Sequence, residues 1–191
     1  MGSSYLSNTL LYLTNVLLGF FILMLLLRFF LQAVQANFYN PISQAIVKIS
    51  NIPTVPLRNI FPTLKGFDLT VLLVLIVLQM TETGIILSLI GKKPTLEGLI
   101  LLACSELLKS TVWLFIGSII IRVVISWIAP YSANPVSELV HALTDPILKQ
   151  IQKVVPVIGG LDLSPMIALV LLQLALIVPI QWLSTTGIHL L

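Results

Sequence analysis

Apolar residues run almost unbroken through four stretches of the chain, residues 9–34, 69–90, 99–129 and 163–183. Each is mostly apolar and more than 20 residues long, the length that crosses a hydrocarbon core of about 30 Å. The third is longer than needed and carries Glu106 and Lys109, which predicts a tilted helix or a first turn at the interface. Pro179 predicts a kink near the end of the fourth, because proline removes one helix hydrogen bond. The connections are unequal: residues 91–98 form a short polar turn, while residues 35–67 and 130–161 are long.

Neither long connection reads as featureless. Val136, Leu139, Val140 and Leu143 follow the i, i+3, i+4, i+7 spacing of one helix face. Asn134 is suited to cap that helix and Pro135 to occupy its first position. Asp145 and Pro146 repeat the start signal, predicting a second helix with Ile147, Ile151 and Val154 on its apolar face. In the earlier segment Asn40 and Pro41 open a stripe of Ile42, Ile46 and Ile49, and the prolines that follow predict a short broken helix around residues 57–61. Such helices are too short to span and too apolar on one side to float free, so they are expected to lie in the headgroup plane.

The two long segments are copies of one another. At a spacing of 94 residues, Arg28 matches Arg122, Asn40 matches Asn134, Pro41 matches Pro135 and Ser43 matches Ser137. Further along, Pro62 matches Pro156, Gly66 matches Gly160, Asp68 matches Asp162 and Gln79 matches Gln173. The polar and backbone-special positions agree while the Leu, Ile and Val filler drifts, which marks a duplicated unit of span, interfacial helices and span. The expected domains are residues 1–95 and 96–191. The expected fold is an all-α membrane protein of four spans, built as two parallel tandem repeats about a pseudo-two-fold axis along the membrane normal.

Composition supports a bilayer as the solvent: 58% of residues are hydrophobic and only 9% are charged, against about 25% charged in soluble domains. The net charge of +3 comes from Lys and Arg in loops and at helix ends, which reads as topology and not as a nucleic-acid surface. Lys48, Arg58, Lys65, Lys149 and Lys153 place segments 35–67 and 130–161 in the cytoplasm and both termini outside. The opening residues lack the basic start and small-residue site of a cleavable signal, so an uncleaved anchor helix is expected. Cys104 stands alone, which excludes an intrachain disulfide or a cysteine cluster. His141 and His189 are expected on opposite membrane faces, so no cofactor is expected from a histidine pair. No P-loop, HExxH or Ser–His–Asp pattern is present, and no enzyme activity is expected.

The tracts LLLRFFLQAVQANFYNPISQ and RVVISWIAPYSANPVSELVHALTDPILKQIQKVVPVIGGLDLSP resemble the tandem domains of the YggT (also YlmG) family of bacterial inner-membrane proteins. The resemblance runs over nearly the whole chain. One departure is that Gln150 and Gln152 stand where the family pattern has proline and arginine, a pair the first copy keeps as Pro56 and Arg58. The resemblance implies a multi-pass protein of the bacterial inner membrane. It also implies roles in osmotic-stress tolerance, potassium handling or cell-division gene clusters, with haem attachment and nucleoid distribution among plastid relatives.

Candidate functional residues follow from charge inside the spans. Arg28 and Arg122 lie near the ends of spans one and three, and Asp68 and Asp162 begin spans two and four at compatible depth. They read either as Arg–Asp pairs that fix the hairpins or as an ion site between repeats. Gln79 and Gln173 lie about 16 Å deeper than the aspartates, suited to helix–helix hydrogen bonds or to a polar path. Glu82 has no counterpart in the second copy, and it is expected either to pair with Lys109 across the outer turn or to face a Lys109 that stays wet. Two functions compete: a scaffold or assembly factor whose interfacial helices dock a membrane-protein partner, lipid or a second copy, and an ion-transport component with a path lined by these groups.

Overall fold

The computed structural model describes residues 2–57, 63–64, 67–128, 134–155 and 162–191. Seven α-helices appear in these residues: α1 (Gly2–Ala33), α2 (Pro41–Thr54), α3 (Leu69–Leu89), α4 (Leu96–Ile128), α5 (Pro135–Gln152), α6 (Ser164–Ala175) and α7 (Gln181–His189). A two-residue antiparallel ladder pairs Thr63–Leu64 with Phe67–Asp68 just before α3. Four helical segments are long and apolar enough to cross a membrane: Tyr5–Ala33, Leu69–Leu89, Leu96–Ile128 and Ser164–His189. The four-span helical class read from the hydropathy pattern is the class observed.

Within the first repeat α1 packs on α3, where Ile22, Leu25 and Leu26 meet Val71, Val74 and Leu75, with Leu114 of α4 closing the cluster. Within the second, α4 holds α6 through Ile119 and Ala168, with Leu148 of α5 between them. Val112 and Ile116 of α4 meet Ile180 one level further on. The α4–α7 crossing is closer still. A Cβ on Gly187 would lie 2.9 Å from Leu102 Cγ and 3.2 Å from its backbone nitrogen, so only glycine admits this approach. Lipid tails are as apolar as leucine, so such contacts gain mainly packing, and buried polar contacts decide which helices pair.

The ends of the spans are set by local chemistry. At the end of α1, Ala36 N–H donates to Leu31 O at 2.9 Å and Gln35 sits at φ 52°. At the end of α3, Lys92 N–H donates to Leu87 O at 2.9 Å around Gly91 at φ 78°. Both are left-handed helix stops; glycine adopts that conformation freely, whereas Gln35 carries a strain of about 1–2 kcal/mol.

One proline expectation is corrected. The Asp145-Pro146 signal does not start a new helix, because α5 runs unbroken from Pro135 to Gln152 with Pro146 inside it. Likewise α2 runs through Pro53 to Thr54 and ends in a tight 3₁₀ turn, Val55–Leu57; the broken helix expected around 57–61 lies mostly outside the described residues. Tertiary packing overrides the local signal: Leu143 and Leu148 flank Pro146 and are both buried, so a continuous helix buries both. At Pro179 the fourth span has a widened turn near its end. Residues Leu176–Ile180 are π-helical, which relieves the clash of the proline ring with the preceding turn.

α2 and α5 touch at one end of the bundle. At the other end Thr95 Oγ1 donates to Leu190 O at 2.7 Å, and Asn15 lines a cavity with Ile90 and Lys92. The helices α2 and α5 of the two long connections therefore lie together, opposite the 91–98 turn and the C-terminus.

Candidate functional site

Arg28 emerges from the last third of α1 and is 5% exposed. Its Nη1 donates to Ser50 Oγ at 2.9 Å and Asn51 Oδ1 at 2.8 Å, and lies 3.5 Å from Thr54 Oγ1. Its Nη2 reaches Asp68 Oδ2 at 3.4 Å. Ser50 and Thr54 sit one turn apart on α2, so they present one polar face to the guanidinium. Asp68 also caps α3 by accepting the Thr70 N–H at 3.1 Å. One arginine thus ties three elements, and its fork of five donors explains why arginine is used for the task. The buried line of α2 is consequently Ser43, Ile46, Ser50 and Thr54, with only Ile46 of the three expected isoleucines buried.

Arg122 does not repeat the Arg28–Asp68 pairing, and the expected contact with Asp162 is corrected. Arg122 Nη1 donates to Thr144 Oγ1 at 2.7 Å and to Asp145 Oδ1 at 2.6 Å. The reason is visible in the 94-residue register: Thr144 stands where the first copy has Ser50, and Asp145 where it has Asn51. A carboxylate on α5 is nearer than Asp162, and it takes the charge. Asp145 also bonds Lys149 one turn on at 2.8 Å. Partial burial raises the Asp145 pKa, but the hydrogen bonds and charges of Lys149 and Arg122 outweigh that and leave it below the usual value. Asp162 instead accepts from Gln152 Nε2 at 2.8 Å and from Ser164 N–H at 2.9 Å, where it starts α6. Gln152 is one of the two departures from the family pattern.

The two repeats meet through their caps. Asn40 Oδ1 accepts the Ile42 N–H at 2.9 Å and Asn134 Oδ1 accepts the Ser137 N–H at 2.7 Å, with Pro41 and Pro135 in the first turns. Asn40 Nδ2 then crosses to the other repeat, donating to Pro135 O and to Glu138 Oε2, both at 2.8 Å. Asn37 Nδ2 donates to Glu138 Oε1 at 2.8 Å. These bonds from Asn37 and then Asn40 lower the Glu138 pKa. Beneath them Leu31, Ile46, Leu139 and Leu143 form a shared apolar cluster. Gly66 and Gly160 lie outside the described residues.

In the opposite half of the bundle, the expected Glu82–Lys109 pair is absent. Gln79 Nε2 donates to Glu82 Oε2 at 2.9 Å within α3, and both residues are buried. Lys109 bonds Glu106, one turn before it on α4, at 3.3 Å, and both are exposed. Glu82 and Lys109 nonetheless line one cavity of about 350 Å³ with Gly19, Gln79, Glu106 and Trp113. Gln173 does not repeat Gln79 either: it is exposed on α6.

The sequence reading named the arginines but missed Ser50, Asn51, Thr54, Thr144 and Asp145 as their partners, and Glu138 as the bridge. The signal was present, since a hydroxyl follows each arginine by 22 residues, but it appears only when similar rather than identical residues are aligned. Among the described residues no three His, Cys, Asp or Glu side chains gather where a metal ion could be held.

Comparison with known proteins finds a family model described as CCB3/YggT that matches residues 7–89 and 101–183. An uncharacterised protein of Pseudomonas aeruginosa is 39% identical over 171 residues, covering 88% of this chain and 87% of its own. An uncharacterised protein of Vibrio alginolyticus is 33% identical, over 88% of this chain and 91% of its own. The uncharacterised protein YggT of Escherichia coli is 30% identical over 186 residues, covering 96% of each chain. No solved structure matches.

Proposed function

This chain belongs to the CCB3/YggT family, and from that premise we propose that it is an inner-membrane scaffold whose α2–α5 platform docks a membrane-protein partner on the cytoplasmic face. The observation that carries the reading is the cross-repeat clamp of Asn37 and Asn40 on Glu138. It joins two short helices that Arg28 and Arg122 already fasten to separate spans. A platform held at four points is preorganised, and preorganisation is what a docking surface needs. Lys48, Lys149 and Lys153 lie exposed on this side, and Tyr39 and Trp127 are 86% and 79% exposed, the residue types that anchor a helix end at the headgroups. The osmotic-stress role implied by the family resemblance follows if the docked partner is a stress-responsive membrane protein.

The cavity lined by Gln79, Glu82, Glu106 and Lys109 favours a second reading, ion transport. Against it stands the apolar cluster of Ile22, Leu25, Leu26, Val71, Val74 and Leu75. It fills the level between Gly19, beside the Glu82 cavity, and Arg28, about 13 Å along α1. A path through one chain would have to open this dry layer.

Two measurements separate the readings. Tagged protein is purified in mild detergent, with and without Glu138→Lys, and co-purifying membrane proteins are identified. The scaffold reading expects one stoichiometric partner that is lost in the variant. The same preparations in vesicles are assayed for potassium flux, and a robust flux abolished by Glu82→Gln would replace the scaffold reading with transport.

A further inference from the structure

Glu82 and its neighbour Thr83 have only apolar counterparts in the second copy, Leu176 and Ile177 at the spacing of 94. Both are 8% exposed, and Gln79, one turn earlier on α3, is 3% exposed. Gln79 Nε2 donates to Glu82 Oε2 at 2.9 Å, which leaves Glu82 Oε1 and Gln79 Oε1 without a hydrogen-bond partner among the described residues. Thr83 Oγ1 has none either. Other hydroxyls of α3 behave differently: Thr81 Oγ1 and Ser88 Oγ donate to the carbonyls one turn back, at 2.7 and 2.8 Å. The unpartnered side-chain atoms sealed inside the protein are, among the described residues, Ser43 Oγ and Ser164 Oγ. The three oxygens of α3 are not sealed. They open onto a cavity, and buried polar atoms left without partners in such a place call for a ligand.

That cavity, about 290 Å³, lies among α1, α3, α4 and α7, at the end of the bundle that carries Lys92 and Leu191. Asn15, Glu106 and Ser184 complete its polar wall. The cavity of about 350 Å³ already described shares Gln79, Glu82 and Glu106 with it and reaches Gly19, where an added Cβ would lie 3.7 Å from Glu82 Oε1. Glu82 therefore stands where the two spaces meet, and the apolar layer of Ile22, Leu25, Val71 and Leu75 closes the way towards Arg28. Lys109 is spent on Glu106 at 3.3 Å. Lys92 stands about 15 Å further along α3, more than the Debye length of about 8 Å at physiological salt. Glu82 is thus the carboxylate of this wall with no cation against it.

We propose that Glu82 is the anionic ligand of a binding site for one alkali-metal cation, entered from the end with the 91–98 turn and completed by oxygens of Gln79, Thr83 and water. Charge selects the class. Glu106 and Lys109 cancel, so the wall keeps one uncompensated negative charge, which one monovalent cation balances. Calcium sites draw on several carboxylates. The uncharged oxygens argue against a proton as the sole occupant: a proton needs Glu82 alone, whereas an alkali ion needs several oxygens in place of its water shell. Gln79, Thr83, Asn15 and Ser184 bring such oxygens to the same wall. At about 30 Å³ per water, the cavity holds about ten waters, so the cation keeps part of its shell. The dry layer makes the site blind, with one mouth for entry and exit. It needs neither a docked protein nor a path through the chain, and it stands apart from both readings above.

The test uses the full chain, purified in mild detergent with choline chloride as the only salt, and titrated with radioactive sodium and with radioactive rubidium, a stand-in for potassium. Wild type is expected to bind one ion per chain saturably, and the more tightly held of the two sets the size of the site. Glu82→Gln is expected to abolish binding. Thr83→Val keeps the shape of the side chain and removes one oxygen, so it is expected to bind about tenfold more weakly. Gln173→Leu, at the position of Gln79 in the second copy, is the control expected to bind as wild type does. Thermal melting in choline reports folding, and replacing choline by the bound ion at equal ionic strength should raise the melting temperature of wild type but not of Glu82→Gln. Should Glu82→Gln fail to fold, Thr83→Val carries the test. Absence of saturable binding to wild type, as expected of a carboxyl that holds only a proton, overturns the proposal. So does binding left unchanged by Thr83→Val, or weakened equally by Gln173→Leu. Flux into vesicles tests transport separately, and binding without flux is the result a blind site predicts.

Discussion

Asn40 Nδ2 donates to Glu138 Oε2 at 2.8 Å, joining the first turn of α2 in one repeat to the first turn of α5 in the other. The same side chain caps α2 through its oxygen, so its two ends do separate work and can be separated by substitution. Asn40→Asp keeps the cap, since aspartate serves there as well as asparagine, but it sets a second carboxylate against Glu138. We expect the melting temperature of the variant in detergent to fall at pH 7 and to recover near pH 4, where a shared proton removes the repulsion. No deficit at either pH would mean that the cap, not the bridge, is what Asn40 contributes.

The two arginines are sequence copies but not energetic copies. The Arg28–Asp68 pair is 5% and 1% exposed at its side chains, whereas Arg122–Asp145 is 19% and 31% exposed. Removing Arg28 breaks a pair that is almost wholly buried, a loss of about 3–5 kcal/mol. Removing Arg122 leaves Asp145 still paired with Lys149, a loss nearer to one charged hydrogen bond, about 1.5–3 kcal/mol. Arg28→Gln is therefore expected to unfold at distinctly lower denaturant than Arg122→Gln. Equal midpoints would contradict the difference in burial.

Asp145 also gives a pH dependence of known sign. Its folded pKa lies below the unfolded value of about 3.9. Its contribution is therefore present in full above that value and is lost as the pH falls through the lower folded value. Asp145→Asn should be less stable than wild type at pH 7. It should also lose less on acidification below about pH 4, measured as melting temperature against pH. Parallel acid limbs for the two proteins would assign the acid sensitivity elsewhere.

The chain's architecture was legible in its sequence because the bilayer imposes a simple rule on length and hydropathy, and because the duplication repeated Arg28, Asn40, Pro41, Asp68 and Gln79 at one spacing. Partners were less legible, since a register shows that two residues correspond but not what each faces. Asp162 corresponds to Asp68, yet Asp145, a residue with no acidic counterpart, stands closer to Arg122 and captures it. Pro146 was misleading for a related reason. The local signal for a helix start is worth about a kilocalorie per mole, less than the burial of Leu143 and Leu148 on either side.

Gln79 and Gln173 make the same point as a prediction. Gln79 is 3% exposed and donates to Glu82, the one acidic side chain buried at this level of α3. Gln173 occupies the corresponding position, but the residue matching Glu82 is Leu176, so no acid waits for its amide one turn on. It faces outward beside Val170, Leu174 and Ile177, which are 55%, 50% and 54% exposed. Gln79→Leu strips a buried carboxylate of its donor and should cost about 1–3 kcal/mol. Gln173→Leu replaces an exposed amide with a residue that lipid prefers, and it should be neutral or stabilising in a monodisperse preparation. Unfolding midpoints of the two variants in the same detergent decide the matter. A penalty for Gln173→Leu as large as that for Gln79→Leu would show that the outer amide has a partner in the membrane beyond this chain, and the four-span unit would then have to be treated as part of a larger assembly.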